Sequence, residues 1–425
     1  MILRRLLASL TVAAAMSLGL IAVPSFAAAP EPVMVVAAAE PPTRARVRMN
    51  QRVFDHVWSE VRSQYYDPAL HGVDWREARR TYRRAALAAP DDRALYRVLG
   101  DMLALLDDAH ANASAPAVAR RLATIGQPRA AIGVSLRPVP GEPGFYTVET
   151  VREGSPAQDA GVSAGWRLDT TRPGVWFPEL DVLEGQVVTL SFVEPDGSSR
   201  AVTIAPRIMP PRPAFVADLT RTGVAVLKIN AFDPGLGDWV GRQLAEIPPE
   251  TDIVLDLRGN PGGRLLEADA VLSCFLPRDR PWATRTTRAG RTIVLRTAGG
   301  CGDLDGPVAN DVAVLVNANS RSAAELTPAA LQEARRAIVV GEPTAGAVLI
   351  SQDSRLPDGG RLSLSRSDFV TAGGVRLEKR GVTPDFSLPA ADDDGTGGDP
   401  VLELAIAALA GTATAPVAAV AAPSL

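Results

Sequence analysis

Lysine is nearly missing from this 425-residue chain: Lys228 and Lys379 are the only two among 44 Lys+Arg residues. Histidine is almost as scarce, with His56, His71 and His110. Scattered without ligand spacing, they point to no metal centre. A formal net charge of −4 gives no excess of positive charge to draw the chain to nucleic acid or to an anionic membrane. Gly259–Gly263 lacks both the Lys-Ser/Thr of a phosphate-binding loop and the spacing of a dinucleotide fingerprint, so no nucleotide is expected, and no other cofactor. The two cysteines, Cys274 and Cys301, have no histidine beside them in sequence, which argues against a thiol nucleophile. They stand either as a disulfide or as two free thiols, one on an apolar helix and one in a glycine-rich loop. What remains, 46% hydrophobic and 22% charged, is the composition of an ordinary globular protein long enough for two or three domains.

The chain divides by composition. Residues 1–27 read as a secretory signal: Arg4 and Arg5, an apolar run from Leu6 to Val23, then Ser25-Phe26-Ala27 as a small-x-small cleavage site. An uncleaved anchor is the alternative; removal leaves a secreted or periplasmic chain with no membrane span. Residues 28–45 are an Ala/Pro-rich linker. From 46 to 125 the pattern is helical, with Val53, Phe54, Val57, Trp58 and Val61 on one stripe and Leu95, Leu99, Met102, Leu103 and Leu106 on another. Residues 129–208 change to short β runs broken by Gly and Pro, and 214–410 carry buried strands alternating with helices, which gives an α/β multidomain fold class. The Ala/Pro-rich stretch 411–425 reads as an unstructured tail.

The chemistry concentrates between Val312 and Ser351. Val-Ala-Val-Leu-Val-Asn (312–317) is a continuous apolar run, the mark of a strand buried on both faces of a parallel sheet. After a turn at 318–321, Ser322-Ala323-Ala324-Glu325 opens a helix, and Ala-Ile-Val-Val-Gly (337–341) forms a second buried strand. Ser322 therefore lies beyond the carboxyl end of a strand, where such sheets place their ligands. It also lies at a helix N-terminus, whose free N–H groups and positive dipole suit a tetrahedral oxyanion. The same letters spell a capping box, Ser-x-x-Glu, with Ser322 a plain N-cap. On this stretch alone both readings stand.

Six motifs occur in a fixed order: Asp108-Ala-His110 closing the helical segment; a β module with Ile132-Gly133-Val134 and Ser155-Pro-Ala; Asp256-Leu-Arg-Gly-Asn-Pro-Gly-Gly263; Ser322-Ala-Ala-Glu325; Gly341-Glu-Pro-Thr-Ala-Gly346; and Gly381-Val-Thr-Pro-Asp385. In that order the chain resembles the carboxyl-terminal processing (tail-specific) serine peptidases and their tricorn-like relatives, over roughly residues 50–410. The resemblance implies an N-terminal helical segment, a PDZ-like β domain at 129–208 and a ClpP/crotonase-like α/β peptidase core at 214–410. It implies Ser322 as nucleophile, with Ala323 and either Gly262 or Gly263 supplying oxyanion N–H groups. Ile132, Gly133 and Val134 match the PDZ carboxylate loop, so protein or peptide substrates taken by their C-terminal tails are the expected partners. Trp166 departs from that family pattern, which has Asp there, and Thr170–Glu179 does not align with it.

At one position the resemblance breaks. The processing peptidases use a lysine base 25 residues after the serine, and here that position is Ala347. A serine without a base is a poor nucleophile. The tricorn-like branch offers an alternative: a histidine base, matched by His110, assisted by a glutamate, matched by Glu378. Against this, His110 can be a helix-end histidine bonded to local backbone, and Glu378 a surface partner of Arg376 or Arg380. Two further readings stand beside it: a pseudo-protease that holds peptides without cleaving them, and Lys379 standing in from another loop. His56 and His71 fit helical faces as structural residues.

Overall fold

The computed structural model describes residues 41–124, 126–139, 141–142, 144–171, 182, 184–388 and 398–413. The expected signal at 1–27, most of the linker, most of the tail and nearly all of the unalignable 170–179 stretch lie outside these residues. Among the described residues no helix is long and apolar enough to cross a membrane. The architecture is mixed α/β, with helices and several sheets.

A six-stranded sheet forms the centre. Across it run 386–387, Ile338–Gly341, Val312–Val316, Asp252–Asp256, Val224–Ile229 and Phe215–Asp218, all parallel except the last, which is an antiparallel edge. The unbroken apolar run of Val312–Val316 has a direct cause. Val312, Val314 and Val316 face one layer, shared with the helices Leu236–Glu246, Leu265–Phe275 and Ala323–Glu333. Ala313 and Leu315 face the other, shared with the C-terminal helix Pro400–Leu409. Because alternate side chains of a strand point to opposite faces, a strand covered on both sides has no polar position to spend. Each parallel step needs a crossover, and the crossovers supply the covering helices.

A second sheet of five strands (Asn112–Ser114, Pro281–Thr287, Thr292–Arg296, Ile350–Arg355 and Arg361–Thr371) lies between this core and the helical segment. The helices Arg44–Gln64, Trp75–Ala88 and Asp92–Ala104 close their core over Leu356, Leu362 and Leu364 of that sheet. Their apolar stripes are the ones the periodicity predicts: Val53, Phe54, Val57, Val61, Leu95, Leu99, Met102 and Leu103 are buried. Asn112–Ser114 pairs antiparallel with 361–363, and this pairing ties the chain just after His110 to the second sheet.

The β segment forms a five-stranded antiparallel sheet in the order 134–138, 145–151, 167–169, 188–193, 199–204, with a short helix at Pro156–Asp159. Trp166 is buried there, its ring 5.5 Å from that of Phe192. An aspartate could not fill this space without burying a charge. Cys274 and Cys301 are bonded, with S–S 2.03 Å, joining the helix after the glycine loop to the 297–306 loop.

Candidate active site

Ser322 sits on a sharp strand-to-helix turn at φ 56° and ψ −119°, a conformation side-chain-bearing residues rarely adopt. The preceding turn is fastened by side chains. Ser320 Oγ donates to Leu257 O at 2.8 Å and accepts from Asn317 N–H at 3.0 Å, while Arg321 N–H donates to Asn260 O at 2.9 Å. The neighbouring Asp256–Gly263 segment thus helps to hold the elbow.

That segment also supplies the closest backbone approach. A Cβ on Gly262 would stand 2.6 Å from Ser322 Cβ and 2.8 Å from Arg321 O; one on Gly263 would stand 2.4 Å from Phe232 O. Both residues have positive φ, 93° and 148°, so glycine is required twice over, by conformation and by space. Their N–H groups differ. Gly262 N–H is already bonded to Asn260 Oδ1 at 2.7 Å. Among the described residues, Gly263 N–H and Ala323 N–H donate to no partner. Of the two candidate glycines, Gly263 is therefore the one with a free donor.

Glu325 does more than cap the helix. Fully buried, its carboxylate accepts from Ser322 N–H (3.0 Å) and Ala347 N–H (2.9 Å) on one oxygen, and from Thr344 Oγ1 and Gly346 N–H (both 2.6 Å) on the other. Burial pushes its pKa up, and the four donors oppose that rise. The capping-box spacing foretells one of these bonds; the other three come from a loop some twenty residues downstream. Ala347 itself is buried, and its carbonyl accepts from Ser322 N–H at 2.8 Å. The backbone of the lysine position is thus in contact with the serine, with only a methyl group to offer it.

The remaining candidates converge on this loop from the other side. Glu378 is buried, not a surface partner of Arg376 or Arg380, and it accepts from Val348 N–H at 2.9 Å. Burial raises its pKa, Asp108 adds to the rise, and Arg376 opposes it. Next to it, Lys379 N–H donates to Gly346 O at 2.7 Å, while its ammonium is half-exposed and ion-paired with Asp107. This exposed ion pair with Asp107 lends no support to Lys379 as a stand-in base. His110 lies in the same turn as Asp107, largely buried; burial lowers its pKa most, Asp108 raises it, and Arg321, the residue before Ser322, lowers it. Among the described residues no hydrogen bond joins the imidazole to the Ser322 hydroxyl. His71 is structural: Nδ1 lies 2.8 Å from Leu106 O and Nε2 2.7 Å from Tyr66 Oη.

The β module touches the site. Asn319 Nδ2, in the turn before the serine, donates to Glu149 Oε1 at 3.4 Å. At the start of the module, Gly133 (φ 89°) packs on Ser155, and the carbonyls of Ile132 and Gly133 accept from Ala157 and Arg152 N–H at 2.9 and 2.8 Å. The N–H groups of Ile132 and Gly133 donate to no partner among the described residues. Val134 begins the strand that pairs with 145–151.

Comparison with known proteins accords with this arrangement. Residues 223–388 match peptidase family S41, and residues 49–104 match the tricorn protease C1 domain. The first match contains Gly262, Gly263, Ser322, Ala347 and Glu378; the second ends short of His110. The carboxyl-terminal-processing protease of Picosynechococcus sp. is 27% identical over 347 residues, 78% of this chain and 81% of its own length. The chloroplastic carboxyl-terminal-processing peptidase 2 of Arabidopsis thaliana is 27% identical over 384 residues, 84% and 72% of the two chains. Among solved structures, the photosystem II D1 C-terminal processing protease superposes with a TM-score of 0.58 at 22% identity, covering 80% of this chain and 93% of its own, a likeness of fold.

Proposed function

Because the chain carries a peptidase family S41 domain, we propose that it is a secreted or periplasmic serine endopeptidase of the tail-specific type, with a histidine in place of the lysine base. Ser322 Oγ attacks the scissile carbonyl while His110 takes its proton. The oxyanion of the tetrahedral intermediate falls between the N–H groups of Ala323 and Gly263. His110 then returns the proton to the departing amine, and water, activated by the same imidazole, releases the acyl group. Glu378 adds negative charge on the side of the base. The observation that carries this reading is the pair of unpartnered N–H groups flanking a serine held in a strained turn. A plain N-cap needs neither the strain nor a glycine pressed against its Cβ.

The β module is read as PDZ-type, taking the carboxylate of a substrate tail on the free N–H groups of Ile132 and Gly133, with Val134 pairing the tail as an added strand. The Asn319–Glu149 contact supports a β module that stands close to the serine turn. Export rests on the sequence pattern at 1–27.

A second reading, a peptide-holding pseudo-protease, is favoured by Ala347 and by the absence of a His110–Ser322 hydrogen bond among the described residues. Labelling with a fluorophosphonate probe separates the two. Labelling lost in Ser322→Ala and in His110→Ala supports the peptidase. No labelling of the wild-type chain, with peptide binding intact, supports the adaptor. Equal affinity for free and amidated C-termini would exclude carboxylate capture.

A further inference from the structure

His110 Nδ1 and Asp108 Oδ2, in the turn that carries His110, and Tyr65 Oη, at the end of the helix Arg44–Gln64, are buried with no hydrogen-bond partner among the described residues. The Asp108 side chain is wholly buried, and so is Tyr65. Asp108 Oδ1 accepts the His110 backbone N–H at 2.8 Å and stands 3.8 Å from His110 Nδ1. Orphaned buried polar groups are costly, and these three are complementary: two donors flank one acceptor carboxylate. A ring rotation that shortens the Nδ1–Oδ1 gap by about 1 Å satisfies the imidazole. A comparable adjustment lets Tyr65 Oη reach Oδ2. Burial first, and then the charge of Asp108, push the Tyr65 phenol far above its ordinary range, which is consistent with a phenol close to that carboxylate.

We propose that Asp108 is the positioning residue of His110. Its Oδ1 holds Nδ1–H, which leaves Nε2 as the proton acceptor facing the serine, and Tyr65 Oη–H holds Oδ2. This rests on the reading of His110 as the base. When the Ser322 proton moves to Nε2 the ring becomes cationic, and the adjacent carboxylate offsets that charge without itself taking a proton. The backbone bond from His110 N–H to the same carboxylate holds the anion against the histidine's backbone in one short Asp-x-His turn, within a ring rotation of Nδ1. Other charges bear on this pair. Arg321 disfavours the imidazolium; Glu378 lies near Asp108 and carries Arg376 and Asp368 in its own field; Asp107 of the same turn is neutralised by Lys379. Asp108 is the one carboxylate in the turn that is both buried and bonded to the histidine's own backbone.

Scarcity of histidine makes the test direct, because only three imidazoles titrate in an NMR spectrum of the full chain. Asp108→Asn is expected to lower the proton affinity of His110 by about tenfold or more, moving its inflection to lower pH. Fluorophosphonate labelling is expected to slow by about 10²-fold or more, with its pH inflection moving in step. Tyr65→Phe is expected to act in the same direction by about threefold, and it keeps the test available should Asp108→Asn fail to fold. Asp107→Asn, on the exposed ion pair, is expected to leave both readouts near wild type. An unchanged His110 titration in Asp108→Asn and Tyr65→Phe overturns the proposal; so does an equal shift in Asp107→Asn. If His110→Ala labels at the wild-type rate, the base assignment fails instead, and the NMR arm still decides whether Asp108 holds the ring.

Discussion

Gly262→Ala tests whether the glycine loop and the serine elbow form one device. The substitution adds a single methyl group at φ 93°, which costs about 1–2 kcal/mol for a side-chain-bearing residue in left-handed backbone. The methyl would also stand 2.6 Å from Ser322 Cβ, 2.8 Å from Arg321 O and 3.0 Å from Ala323 N, where carbon contacts normally settle at about 3.5–4.0 Å. Two of these neighbours are backbone atoms fixed by the Asn260 and Leu257 bonds, so relief requires the loop and elbow to part by about 1 Å. Overpacking of this kind adds about 1–3 kcal/mol, for a total near 2–5 kcal/mol, read as a lowered urea midpoint at unchanged slope. The same parting carries Gly263 N–H away from Ala323 N–H. Losing one oxyanion donor lowers the rate about 10²- to 10³-fold, so fluorophosphonate labelling should fall by that factor in protein that is still folded. A folded Gly262→Ala protein that labels within about threefold of wild type would sink the assignment of this loop to the oxyanion.

Three further outcomes are expected. Glu325→Gln replaces a carboxylate that accepts four hydrogen bonds with a group whose NH2 end must face two donors; relief of the buried charge offsets part of the loss, leaving about 2–4 kcal/mol of destabilisation by urea titration, together with slower labelling because Ser322 and Ala347 lose their common anchor. His110 has its pKa lowered by burial below the ordinary 6.5, so the unfolded chain takes up this proton first; its contribution to stability is present above 6.5 and is lost as pH falls through the lowered value, and labelling should persist below pH 6.5, as pH-dependent unfolding and labelling rates will show. Replacing both Cys274 and Cys301 by serine removes a cross-link over 27 positions and should cost about 2–4 kcal/mol in the oxidised protein, while dithiothreitol lowers the wild-type melting temperature toward that of the variant.

The sequence by itself determined the layers and the order of the motifs. The continuous apolar run at 312–316 marks a strand covered on both faces, and the alternation of strands with helices over 214–410 marks the α/β class. It also put alanine at 347, where the family resemblance implies a lysine. Tertiary structure decided the rest, for one physical reason: hydrogen bonds join residues by distance and direction in space, which the order of the letters does not give. Glu378 lies among Arg376 and Arg380 in a charged stretch, and only the fold turns it inward onto Val348. Gly262 and Gly263 are equal as letters, yet Asn260 occupies the N–H of one and leaves the other free. Glu325 reads as a cap because its bond to Ser322 spans three residues; the bonds to Thr344, Gly346 and Ala347 appear only once the strand Ile338–Gly341 brings the 344–347 loop back beside the start of the helix.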